Sequence, residues 1–101
     1  MRNAHHYRVT IEHIHPEEET TIQSMQLALE ERDDMFAIVD KMKQSSGLEA
    51  NTAARFAVGL KLLGPVMMEQ RKNPLFAELM PHFGRFMGNL KRKLKAASLP
   101  E

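Results

Sequence analysis

Histidines and two clusters of charge are the residues of this chain whose types and spacing could do chemistry. His82 follows Pro81, four residues after Glu78 and three before Arg85. On a continuous helix, residues three and four apart are neighbours. An imidazole held by a carboxylate can accept or donate a proton near neutral pH. Glu78, His82 and Arg85 are therefore the candidate functional group, for a small enzyme or a ligand-binding protein. The plainer alternative, a histidine that caps or packs at a proline bend, is preferred. His13 and His15 stand two apart, so on a strand they share a face and could reach one metal ion. Zinc takes three or four protein ligands, and local spacing supplies no third. His5 lies eight residues from His13, too far to chelate with it at about 3.3 Å per residue, and His6 points to the opposite face. A solvated strand end is the preferred reading of this pair, and no cofactor is expected.

Other chemical signatures are missing from the sequence. Ser24, Ser45, Ser46 and Ser98 lie in strand, helix-end and tail settings without a G-x-S-x-G turn. The glycines at 47, 59, 64, 84 and 88 never cluster into a phosphate-binding loop. Glu17–Glu19 and the acidic residues from Glu30 to Asp34 lack the spacing of a calcium loop. Lys91, Arg92, Lys93 and Lys95, together with Arg71, Lys72 and Arg85, are a candidate patch for RNA, DNA or an acidic partner. No aromatic residues interleave with them for base stacking, and cations so close along a helix point several ways. Nucleic acid is not the expected partner.

Composition narrows the class. The 101 residues carry 14 Lys+Arg against 13 Asp+Glu, a formal +1, with 43% hydrophobic and 27% charged residues. One soluble globular domain over 1–101, with an ordered core over roughly 6–95, is the expectation. No run approaches the roughly 20 apolar residues of a membrane span, and Met1–Ala4 opens without the apolar core of a signal peptide. Zero Cys fits a reducing cytoplasm. The +1 is a cancellation: residues 1–50 hold 5 basic and 10 acidic side chains, and residues 51–101 hold 9 and 3. With 8 Met, 5 Phe and no Trp, the interior must be filled by flexible and aliphatic side chains.

Periodicity then places the elements that would position these groups. Tyr7, Val9 and Ile11 alternate with Arg8, Thr10 and Glu12, and Met25, Leu27 and Leu29 alternate with Gln26, Ala28 and Glu30. Two half-buried strands joined by the loop at His15–Glu19 make an antiparallel hairpin. Asp33-Asp34 would cap a helix carrying Met35, Ile38, Val39 and Met42, widened by Phe36 and closed at Gly47. A longer helix from Leu48 to Lys72 is apolar over much of its girth, so it should be central. Pro65 should kink it, and Gly59 and Gly64 should admit close neighbours. Asn73-Pro74 starts the last element, bent near Pro81, with its stripe running from Leu75 to Leu94. Gly84 and Gly88 on it suit a close helix crossing, and Ala96–Glu101 should fray. The expected fold is α+β: an N-terminal antiparallel β-hairpin packed against three α-helices, in the order ββααα.

Three stretches carry a resemblance: HYRVTIE at 6–12, FAVGLKLLGPVM at 56–67 and RKNPLFAELMPHFGRFM at 71–87. In order and spacing they resemble a family of small single-domain bacterial proteins catalogued as a domain of unknown function, over roughly His6 to Leu94. The resemblance implies one domain of this length and brings no activity, cofactor or catalytic residue. A lone two-stranded sheet is marginal and has open edges. The expectation is therefore a small cytoplasmic interaction module that pairs with itself as a twofold dimer, or binds a protein or small ligand.

Overall fold

Alternation of apolar and polar residues yields two long strands: β1, His5–Ile14, and β2, Thr21–Glu31. In this computed structural model, residues 4–98 are described. The strands pair antiparallel as a two-stranded sheet, with Tyr7 opposite Leu29, Val9 opposite Leu27 and Ile11 opposite Met25. These pairs lie on one face, as the period-two pattern requires. The register slips between His13 and Ile14, which brings Ile14 opposite Thr21. β2 therefore starts at Thr21, ahead of the Ser24 expected from its alternation: Thr21 finds its ladder partner in Ile14 beyond the slip, while Ile22 is the extra residue there.

Four helices follow: α1, Met35–Ser45; α2, Ala50–Glu69; α3, Pro74–Ala77; and α4, Met80–Ser98. The fold is thus α+β, a hairpin followed by helices. It has four helices where three were expected, because the last element divides at Glu78–Leu79. Asn73 caps α3, its side chain accepting a hydrogen bond from the Leu75 N–H at 2.9 Å, with Pro74 in the first turn. Pro81 falls in the first turn of α4, where backbone N–H groups have no helical acceptor and a missing one costs little. Pro65 does not break α2, which is continuous to Glu69. Glu49 supplies the α2 cap by accepting from the Asn51 N–H at 2.9 Å. Gly47, at φ 79°, adopts the left-handed conformation expected after α1.

The chain resolves into two compact units, Met1–Asp34 and Met35–Glu101. The helical unit has a core of Met42, Ala53 and Ala57, against which Ile38, Val39, Phe56, Leu60, Leu90 and Leu94 pack. Alanines at the centre let α1 lie close against α2, and α4 packs against α1 and reaches the core through Leu90 and Leu94. Phe56 and Phe86 meet edge to face, ring centroids 6.1 Å apart, a favourable aromatic arrangement. Met35 and Met67 are also buried.

Several expectations of burial are corrected. α2 buries one stripe and is not enclosed on several sides: Leu63, Val66 and Met68 are exposed. Phe36 is 74% exposed, so it does not widen the α1 stripe into the core. Gly59, Gly64, Gly84 and Gly88 each have open space where a Cβ would stand, so none marks a close approach. α4 stays helical to Ser98 despite the fraying expected from Ala96, and residues 99–101 lie outside the described residues. No helix among the described residues is long and apolar enough to cross a membrane.

Candidate functional site

The hairpin's geometry is set at its tip. The backbone N–H of His15 donates to the Thr20 carbonyl at 2.8 Å, and the Glu19 N–H donates to the His15 carbonyl at 2.9 Å. Inside this loop the His15 ring is itself an acceptor. The N–H groups of Glu17 and Glu18 donate to its Nδ1 at 3.3 and 3.2 Å. Through Nδ1 the ring serves the turn much as an Asp or Asn side chain would. Glu19 closes the loop at φ 58°, in the left-handed region.

His13 lies on the exposed sheet face, before the register slip, and His15 lies past the strand end. They are thus not consecutive rungs of one regular face. Among the described residues no group of three or more His, Asp or Glu side chains gathers in a way that could hold a metal. His13 instead lines an open depression of about 240 Å³ with Ile11, Gln23, Ser24 and Met25.

The same face continues as an apolar band. Ile11, Met25 and Leu27 are 49%, 53% and 41% exposed, and Tyr7, Val9 and Leu29 are half-buried. They were expected to face a core; the alternation placed them on one side correctly but could not say whether anything covered that side. Ile14 and Ile22 near the tip are exposed as well. The opposite face is polar. His6 Nδ1 lies 3.6 Å from Glu30 Oε1 across the ladder, and Thr21 Oγ1 donates to Glu12 Oε2 at 3.1 Å. Arg8 stands opposite Ala28 and has no side-chain partner among the described residues. At the base of the hairpin the Glu31 carboxylate is buried and accepts from the Asp33 N–H at 2.9 Å. Tyr7 donates its phenol to the Asp33 carbonyl at 3.4 Å.

The other sequence candidates lie in the helical unit. Glu78 is the residue that follows α3, and His82 and Arg85 are in α4, so a turn separates the carboxylate from the imidazole. All three are exposed, and no hydrogen bond or ion pair among the described residues joins them. Lys91, Arg92, Lys93 and Lys95 are exposed on α4. At about 100° per residue Lys91, Arg92 and Lys95 fall on one side of the helix and Lys93 points away from them, so the four do not form one surface. Arg92 donates to the side-chain oxygen of Asn89 on its own helix.

Sequence reasoning did not single out Arg8, Glu12 or the exposed Ile11, Met25 and Leu27. The available signal was two alternating strands with no third to complete a sheet, which leaves open edges.

A two-stranded antiparallel hairpin followed by four helices defines the class as an α+β protein. Within that class the chain belongs to the family DUF3861, a domain of unknown function, whose model matches residues 5–92 and so takes in hairpin and helices together. It is similar over 88% of its length to the crystal structure of a protein of unknown function from Pectobacterium atrosepticum. The two share 35% sequence identity with a TM-score of 0.76, and 98% of that chain is covered. No functionally curated protein matches the chain significantly.

Proposed function

We propose that this protein is a small interaction module that associates with a second copy of itself through the hairpin. One observation carries the reading: the contiguous band of Ile11, Met25 and Leu27, left exposed on a sheet of only two strands. Exposed apolar side chains that adjoin across a ladder form a patch, and patches of this kind mark association surfaces. Two sheet edges with no neighbouring strand among the described residues add a second attraction of the same sense. The cysteine-free composition supports a reducing, cytoplasmic setting. The catalytic alternative draws no support from His82, which stands exposed and apart from Glu78 and Arg85.

Sedimentation equilibrium across the micromolar range tests the reading. The expected result is a mass of two chains, shifted toward one chain by Ile11→Lys with the helical circular dichroism unchanged. A wild-type chain that stays monomeric throughout that range overturns it.

A further inference from the structure

The polar face of β1 says how two such hairpins can join. Arg8 and Glu12 lie on the same face of the strand, four residues apart. At about 3.3 Å per residue they are roughly 13 Å from one another and cannot pair within the chain. Among the described residues β1 has β2 on one side and no strand on the other, so its outer edge presents a row of backbone donors and acceptors.

We propose, resting on the self-association reading above, that β1 pairs antiparallel with β1 of a second copy about a twofold axis at Thr10. The result is a four-stranded sheet in the order β2-β1-β1-β2. A twofold axis perpendicular to the sheet keeps each face continuous only if it passes through a residue position, because opposite residues must point the same way. Few central positions are then available. An axis at Arg8 or at Glu12 sets like charges directly opposite each other, which destabilises a ladder. An axis at Val9 leaves Arg8 opposite threonine, and an axis at Ile11 leaves Arg8 opposite isoleucine. The axis at Thr10 sets Arg8 against the second copy's Glu12, and, by symmetry, Glu12 against its Arg8.

The other face agrees with this register. Val9 falls opposite the second copy's Ile11, and Ile11 opposite its Val9, so the apolar band runs unbroken across the junction. The β2 edge has no equivalent, since its charges, Glu30 and Glu31, are both acidic and both at one end. A self-pairing of β2 brings no opposite charges together to fix a register.

Charge reversal in the full-length chain tests the pairing. Arg8→Glu and Glu12→Arg each create two like-charge pairs per dimer, and each should weaken dimerisation by about tenfold in sedimentation equilibrium. The double variant R8E/E12R restores both pairs with signs exchanged and should return to within about threefold of wild type. Both residues are exposed, so the circular dichroism of every variant should match the wild type. A monomeric wild type overturns the self-association reading and this one together. A dimeric wild type with unaffected single variants overturns the β1 pairing alone and points to another surface, such as the β2 edge. Weakened single variants without rescue in the double variant also overturn it.

Discussion

The two units of this chain reach order by different means. In the helical unit Met42, Ala53 and Ala57 are almost fully buried, and side chains from α1, α2 and α4 close over them. In the hairpin unit the one buried residue among those described is Glu31, and no apolar side chain is buried. One unit is held by removal of apolar surface from water. The other rests on a long backbone ladder, cross-strand pairs and a turn tied by a histidine ring. Charge follows the same division: residues 1–34 hold 3 basic and 8 acidic side chains, residues 35–101 hold 11 and 5. The contrast teaches that a regular apolar stripe does not by itself bring burial. A helix can cover its neighbour, but a strand pair satisfies only its inner edges and leaves its outer edges and its faces to something else.

The contrast can be broken by two truncations of the same residue type. Met42→Ala removes a buried side chain from the helical core and should lower the stability of that unit by about 3 kcal/mol in urea unfolding. At dilution that keeps the chain monomeric, Met25→Ala on the hairpin should change stability by less than about 0.5 kcal/mol, because little apolar area is lost from the single folded chain. Equal costs for the two would mean that the hairpin face is covered in solution as fully as the core. A smaller effect sharpens the point within the helical unit. Gly84 has open space for a Cβ, so Gly84→Ala should raise the thermal midpoint, by about 0.5–1 kcal/mol of added stability. A loss of stability instead would show a close approach on α4.

Much of the framework was legible because periodicity and capping are local. The pairing of Val9 with Leu27 follows from two alternating runs around one loop, and Asn73-Pro74 announces a helix start by chemistry confined to three residues. The division of the last element was legible in part: Pro81 signals a boundary, but its preference for a first helical turn moved that boundary upstream to Glu78–Leu79. Burial was the part that local pattern could not supply. Phe36 and Leu63 fit apolar stripes on paper and lie exposed, since a stripe is buried only where another element reaches it. The same holds for chemistry. The spacing of Glu78 and His82 suits a helix, but a turn runs between them. The spacing of His13 and His15 suits a strand, but the strand ends first and the loop amides take one ring nitrogen.

The acidic residues at the two ends of β2 have a consequence for solubility. Between Thr21 and Leu29 the strand holds nine consecutive residues without a charge, a proline or a glycine. Such an uncharged segment, alternating apolar with polar residues on an open edge, can template the pairing of further strands. Glu17–Glu19 on one side and Glu30-Glu31 on the other act as gatekeepers, since a growing stack would bring each cluster against its own copies. Replacing Glu17, Glu18 and Glu19 with Gln should therefore raise light scattering on mild heating while the helical signal is still intact. The loop that shapes the hairpin would then also be what keeps its uncharged strand from recruiting others without limit.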